Sequence, residues 1–175
     1  HTFEALRRGL ESALADLEVR IEHVGSTAIP GLAAKPVIDL DIIVAAADVA
    51  HVIRALEDVG YRHRGNLGID GREAFLAPPG SPKHHLYVCL EGCLALRNHL
   101  AVRDVLLADP DLAREYGALK HELAIEYSHD MEGYIAGKSE ILGRILALGG
   151  ISSLERDEIE QINGRPGGRS SGVGS

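Results

Sequence analysis

Two aspartates inside one apolar segment constrain the fold of this chain most. In the run 36–44 every second residue is aliphatic, which predicts a buried β-strand with one apolar face: Ile38, Leu40, Ile42 and Val44. Asp39 and Asp41 fall on the opposite face, where their carboxylates leave the strand roughly 6–7 Å apart. Burying two acids is costly without a compensating positive charge, and Mg²⁺ held by carboxylates, water and substrate phosphates supplies one. The alternative is an edge strand that carries two solvated acids.

A Gly-Ser turn precedes the acidic strand by about a dozen residues. The short β-type run 19–24 breaks at Gly25, Ser26 and Thr27, where a hydroxyl side chain can cap a helical turn. Backbone N–H groups and a hydroxyl in such a turn can bind phosphate. Alone, the dipeptide is more typical of a plain turn, but its pairing with the two acids favours a phosphate and metal site.

The predicted secondary structure of the rest of the chain changes half-way, from mixed helices and strands to helices alone. Helical spacing is predicted for 3–17 and 46–59, and strands for 61–64, 72–77 and 84–90. Three further helices follow, at 94–108, 112–127 and 131–148, with Asp109 and Asp130 as N-terminal signals. This order predicts an α+β fold, with a sheet layer and a helical C-terminal half. We expect one domain over 1–150 and a flexible tail over 151–175, because the end of the chain is rich in Gly, Ser and Arg.

Four cationic side chains are candidates for phosphate binding. Arg103 interrupts the apolar stripe of one late helix, and Lys138 interrupts that of another. Each either points into a site or pairs with a buried acid. Lys35 lies at the mouth of the acidic strand, where it either neutralises Asp39 or binds phosphate, and Arg72 borders a Pro-Gly loop, where it is either a substrate-side group or an exposed charge.

Net charge and cysteine content limit which binding partners and which cellular compartment are expected. The formal net charge of −8 makes nucleic acid an unlikely partner and favours a small molecule. The two cysteines, Cys89 and Cys93, are too few for a disulfide framework, so we expect core packing in a reducing, cytoplasmic compartment. No apolar stretch is long enough for a membrane span, so no membrane partner is expected.

The run HVGSTAIPGLAAKPVIDLDIIV, residues 23–44, resembles the signature of the GrpB family. The resemblance continues through GREAF at 71–75, HHLYVC at 84–89 and RNHLAVRDVL at 97–106. It extends to about residue 148. That family belongs to the DNA-polymerase-β-like nucleotidyltransferase superfamily.

The resemblance implies a nucleotidyltransferase-type mixed sheet flanked by helices. It implies that Ser26 binds phosphate and that Asp39 and Asp41 hold Mg²⁺ or Mn²⁺ with an NTP as co-substrate. The superfamily usually adds a third carboxylate on a neighbouring strand, and this sequence departs from that pattern. On the strand 84–90, His85 stands where the acid is expected, and Glu91 at the strand end is the only acid available. His85 is therefore either a catalytic residue or a hydrogen-bonded core residue.

Two functions follow from these expectations. The first is a metal-dependent enzyme that transfers a nucleotidyl group from an NTP to a small-molecule acceptor. The second is a non-catalytic domain that binds a nucleotide or cofactor, since GrpB-like domains also occur fused to dephospho-coenzyme-A kinase. The sequence leaves the acceptor, the NTP and the oligomeric state, a homodimer included, undetermined.

Overall fold

The computed structural model describes residues 2–165 and groups them into two compact units. The sheet unit comprises residues up to Val24 and residues 36–96, and the helical unit comprises 25–35 and the residues from Arg97 onward. Segment 25–35 therefore belongs to the helical unit although both its flanking segments belong to the sheet unit. The sequence predicts a single domain over 1–150.

The sheet unit has two helices and five strands among the described residues. In chain order they are α1 (Thr2–Ala13), β1 (Arg20–Val24), β2 (Ile38–Val44), α2 (Val49–Asp58), β3 (Arg62–His63), β4 (Arg72–Leu76) and β5 (His84–Leu90). The sheet order is β1-β2-β5-β4-β3, with β2 and β5 parallel and the other neighbours antiparallel. This mixed sheet confirms the predicted fold class.

Alternation along the strands gives the sheet one apolar face, as the sequence predicts. Aliphatic side chains of β2 and β5, together with Phe75 of β4, pack with Leu10 of α1, with Leu14 just after that helix, and with Val52 and Leu56 of α2. All of these side chains are buried, and this cluster is the hydrophobic core of the unit. Because successive side chains point to opposite faces, the core directs Asp39 and Asp41 to the second face of β2.

The helical unit contains most of α3 (Leu94–Ala108), then α4 (Pro110–Glu126), α5 (Met131–Leu148) and α6 (Ser153–Asn163). The predicted caps are confirmed: Asp109 accepts hydrogen bonds from the N–H groups of Asp111 and Leu112, and Asp130 accepts one from Gly133. Helix α4 begins at Pro110, two residues earlier than predicted, because proline suits the first turn after a capping aspartate.

Helix α6 replaces part of the tail that the sequence predicts as flexible. Ser152 and Glu155 form a capping box, and Glu155 also forms an ion pair with Arg97 of α3. Arg97 and the Ser152 groups hold the pKa of Glu155 down at about 2. Ile151 and Ile159 are buried. The flexible-tail prediction is therefore wrong for 153–163, because this segment forms a capped helix with buried apolar side chains. The part of the predicted tail from residue 166 onward lies outside the described residues.

Glycine is required at position 71, where β4 begins. Gly71 has a φ of +75°, and a Cβ there would lie 2.7 Å from the Cβ of Cys93. We expect Gly71→Ala to lower the free energy of unfolding by about 2–4 kcal/mol, through left-handed backbone strain and overpacking together.

Gly68→Ala is the matched control for that prediction. Gly68 has a similar φ of +78°, but its Cβ would meet nothing within 4 Å. Strain alone should cost about 1–2 kcal/mol there. Urea unfolding of both variants measures the difference, and equal losses would show that the Cys93 contact contributes nothing.

Candidate functional site

The second face of the sheet carries the two buried acids of β2. Asp39 and Asp41 are 1 % and 0 % exposed. In the strand register Asp39 lies opposite His85 of β5, and Asp41 lies opposite Tyr87. The structure thus places both acids side by side and buried, which is the arrangement predicted from the alternation of β2.

His85 contacts the first of these acids directly. Its Nδ1 lies 2.7 Å from Oδ1 of Asp39, and because an ionised carboxylate only accepts hydrogen bonds, Nδ1 donates. The His85 side chain is 42 % exposed, whereas that of Asp39 is almost fully buried. His85 therefore orients Asp39 and connects it to the solvent side.

A third acid lies on this face, on the strand at the other side of β2. Glu22 of β1 is directly opposite Asp41 in the antiparallel register. Side chains of directly opposite residues share a face, with Cβ atoms about 4.5–5.5 Å apart. The Glu22 carboxylate is 3.8 Å from Nε of Arg20. Glu22 was not among the predicted site residues, because the pairing register of β1 cannot be read from its sequence.

Glu91, the acid that the sequence offers as a third metal ligand, lies further along the sheet. It follows the end of β5, four residues beyond Tyr87, which is about 13 Å of extended chain. Its side chain is 73 % exposed and lies 3.8 Å from Nη1 of Arg20. The structure therefore does not bring Glu91 to the two aspartates.

The donor chemistry of this face suits a hard cation. Within residues 2–165, no group of three or more His, Cys, Asp or Glu side chains is arranged to hold a metal ion. Two buried carboxylates nevertheless match what Mg²⁺ takes from proteins, since the remaining ligands are usually water and substrate phosphate. Asp39 and Asp41 are the residues that would hold it.

Arg72 is a buried cation on the same face. It is 1 % exposed, lies opposite Cys89 in the register, and its guanidinium carbon is 4.5 Å from the ring centroid of Tyr87. The alternative of an exposed loop charge is therefore wrong. Its predicted phosphate-binding role stays a prediction.

In the helical unit, Ser26 contacts a buried lysine. Gly25 precedes it with φ of 73° and ψ of −174°, a conformation that is essentially restricted to glycine. The following 3₁₀ turn, Ser26–Ala28, buries the Ser26 side chain, whose Oγ accepts a hydrogen bond of 2.6 Å from Nζ of Lys120. Thr27 in the same turn is partly buried.

Lys120 belongs to a cluster of two lysines and two tyrosines on α4 and α5. The Lys120 ammonium lies 5.5 Å from the Tyr116 ring centroid, and the Lys138 ammonium lies 4.2 Å from that of Tyr134. Both lysines are buried. Burial and the charge of Lys120 lower the pKa of Lys138 to about 7. Two cations held this way in a low-dielectric region favour a bound anion.

Lys120 was not among the predicted site residues, although the sequence pattern around it indicates a buried cation. It interrupts a buried stripe of α4, with Leu112, Tyr116 and Leu123 at spacings of four and three residues. That is the pattern that singled out Lys138, whose burial the structure bears out. Arg103 is partly buried and pairs with Asp104 at 2.8 Å, and Lys35 is exposed.

The family model described as GrpB protein matches residues 1–148. The chain belongs to the GrpB family. It is 38 % identical over 123 residues to the UPF0157 protein YqkA of Bacillus subtilis, which covers 70 % of this chain and 36 % of that protein. It is 38 % identical over 149 residues to the UPF0157 protein PA4798 of Pseudomonas aeruginosa, with shares of 82 % and 61 %. The chain thus spans less than two thirds of these two relatives.

One relative carries a functional name. The chain is 31 % identical over 156 residues to a dephospho-CoA kinase of Mycolicibacterium paratuberculosis, covering 74 % of this chain and 38 % of that protein.

Comparison with solved structures supports the GrpB family assignment and shows that the fold is shared with a more distant protein. The conserved protein GrpB from Enterococcus faecalis matches with a TM-score of 0.71 and 31 % identity over 84 % of this chain and 89 % of that one. The Cid1 poly(U) polymerase with MgGTP bound matches with a TM-score of 0.54 and 14 % identity, over 79 % and 48 %. The second match shows the fold alone and confirms the nucleotidyltransferase-type sheet.

Among the described residues, no helix combines the length and apolar content that a bilayer span requires.

Proposed function

We propose that this GrpB-family chain is a metal-dependent nucleotidyltransferase that uses an NTP donor and a small-molecule acceptor. The observation that carries the proposal is the complete burial of Asp39 and Asp41 on one face of β2, in a sheet of nucleotidyltransferase type. A buried acid pair is costly unless a cation compensates it. A hard divalent ion with phosphate ligands is the compensation that two carboxylates suit.

The sheet unit would supply the metal chemistry. Asp39 and Asp41 would hold Mg²⁺ or Mn²⁺, which neutralises phosphate charge and activates an attacking oxygen when it is bound. His85 would act as a positioning residue, because its hydrogen bond fixes the orientation of the Asp39 carboxylate. Glu91 is left out of this proposal because of its distance and exposure.

The helical unit has its own set of residues suited to phosphate binding. Ser26 and Lys120 already share a hydrogen bond, so a phosphate oxygen could accept from both the hydroxyl and the ammonium after a small rearrangement. Lys138 would add a second positive charge, and anion binding would raise its lowered pKa. Gly25 permits the backbone conformation that begins the turn. Thr27, Lys35 and Arg103 of this unit keep their predicted phosphate-binding roles as part of the proposal, and so does Arg72 of the sheet unit.

The net charge bears on the acceptor. At −8, the chain lacks the general attraction to a polyanion that long nucleic acid requires. A small hydroxyl, amine or phosphate compound is therefore the proposed acceptor.

A second candidate function is a non-catalytic nucleotide- or cofactor-binding accessory domain. The relative named dephospho-CoA kinase favours it, since this chain matches only 38 % of that protein. The hydrogen bond from His85 to Asp39 favours it too, because a donor to Asp39 partly compensates the buried charge without a metal.

Binding and turnover together separate the two functions. Calorimetry with Mn²⁺ and each NTP measures binding, and pyrophosphate release in the presence of a metabolite pool measures turnover. Tight binding with release supports the enzyme, and tight binding without release supports the accessory domain. Absence of metal-dependent NTP binding would contradict both.

Lys120→Met and Ser26→Ala test the phosphate-binding role. Because a hydrogen bond to a charged group contributes about 1.5–3 kcal/mol, each change should weaken NTP affinity roughly 10- to 100-fold. Lys83→Met is the control, since Lys83 is exposed. A Lys120→Met protein that binds NTP like the control would remove the lysine cluster from the proposal.

A further inference from the structure

The two cysteines of the chain contact each other. Cys89 lies on β5 and is 0 % exposed, and Cys93 follows the strand and is partly exposed. The Cys93 side chain forms a hydrogen bond with the Cys89 thiol. The sequence predicts only core packing for this pair, but one of the two contacting sulfurs is partly exposed to solvent.

Backbone features at the end of β5 bring the sulfurs together. The N–H of Cys93 donates to the carbonyl of Leu90 at 3.1 Å, which closes a tight turn. The N–H of Leu90 donates to the carbonyl of Gly71 at 2.8 Å. Because Gly71 has no side chain, Cys93 fits against it, where a Cβ would approach to 2.7 Å. The turn therefore holds Cys93 beside Cys89.

The two sulfurs differ in surroundings, which sets an order of reaction. Cys89 lies on the polar face of the sheet and is fully buried, whereas Cys93 is partly exposed. Cys93 is the sulfur that solvent reaches, so an oxidant meets it first.

We propose that Cys89 and Cys93 form a redox modification site that reacts with hydroperoxides and closes a reversible disulfide. The Cys93 sulfur attacks the terminal peroxide oxygen, the O–O bond breaks, and Cys93 becomes a sulfenic acid while an alcohol or water leaves. The Cys89 sulfur then attacks the Cys93 sulfur, so that an S–S bond forms, the S–O bond breaks, and water leaves with the thiol proton. The two thiols supply the two electrons that reduce the peroxide, and a dithiol reductant reverses the step.

Mass spectrometry of the whole chain after hydrogen peroxide treatment tests this site. Both cysteines lie in the one tryptic peptide that runs from His84 to Arg97. In the wild type this peptide should lose two hydrogen atoms and no longer react with iodoacetamide, and dithiothreitol should restore both properties. Free thiols after treatment, or a disulfide between two chains, would overturn the proposal.

Variants separate the two roles. Cys89→Ser should stop at a Cys93 sulfenic acid, which dimedone traps, and Cys93→Ser should leave Cys89 reduced at the same peroxide dose. Gly71→Ala should slow disulfide closure more than Gly68→Ala does, since only the former displaces Cys93. Oxidation of Cys89 in the Cys93→Ser protein at the wild-type rate would contradict the assigned order.

Discussion

The Lys138→Met protein is expected to be more stable than the wild type at neutral pH, by about 2–4 kcal/mol. Burial and the neighbouring Lys120 charge lower the Lys138 pKa from 10.5 to about 7. The folded state therefore disfavours the charged amine that the unfolded chain carries. Methionine has similar length and no charge, so it removes this penalty and fills the same space beside Tyr134.

The same substitution should change how stability depends on pH. Below about pH 7 Lys138 is protonated in both states, and its penalty is fully present. Between about pH 7 and 10.5 the folded state has released the proton that the unfolded state still holds, so wild-type stability rises with pH. Lys138→Met should flatten this rise.

Urea unfolding of wild type, Lys138→Met and the exposed-site control Lys83→Met at about pH 7 and pH 9 makes the comparison. The upper limit stays below pH 10 because burial raises the pKa of Tyr116, which adds a trend of opposite sign once unfolded tyrosine ionises. A Lys138→Met protein with the wild-type slope would show that this amine is charged in both states across the range.

Asp39→Asn and Asp41→Asn should each weaken Mn²⁺ binding in the presence of an NTP by at least about 100-fold. The estimate follows from outer-shell partners, whose loss alone costs about 10- to 100-fold in metal affinity, so a direct ligand should cost more. His85→Ala, which removes only the hydrogen bond to Asp39, should fall within that smaller range.

Asp70→Asn is the matched control, because Asp70 is an exposed acid in the same unit. Titration of Mn²⁺ followed by electron paramagnetic resonance gives the affinities, and thermal melts check that each variant is folded. Equal Mn²⁺ affinity in the Asp39→Asn, Asp41→Asn and Asp70→Asn proteins would exclude the buried acids as the metal site. That result would leave the phosphate-binding test on Lys120 unaffected.

Local sequence patterns predicted most helices and strands, but they could not predict which residues strand pairing brings together. The bounds of α3 and α5 agree with prediction because helical spacing and capping residues are both local signals. Alternation in β2 placed Asp39 and Asp41 on one face for the same reason. Glu22 could not be placed, since its position opposite Asp41 depends on how β1 pairs with β2. Lys120 could have been found by applying the interrupted-stripe criterion to α4 as well.

The composition-based prediction for the C-terminal region failed at α6. Polar and charged residues together dominate 153–163, which is typical of a solvated segment, but Ile159 is buried and Ser152 caps the helix. A few well-placed side chains were enough to order this short segment. The prediction grouped this charged stretch with the Gly-, Ser- and Arg-rich segment 164–175 and so overlooked them.

Because segment 25–35 is an excursion of the chain into the helical unit, the unit is not contiguous in sequence. A fragment that starts at Arg97 would lack the Leu32 side chain, whose Cδ1 lies 2.9 Å from where a Gly117 Cβ would be. It would also lack the Ser26 hydroxyl that accepts from Lys120. A protein cut at the start of α3 would therefore lose the residues of segment 25–35 that contact α4. A separate helical unit has to include this segment, joined to it by a new linker.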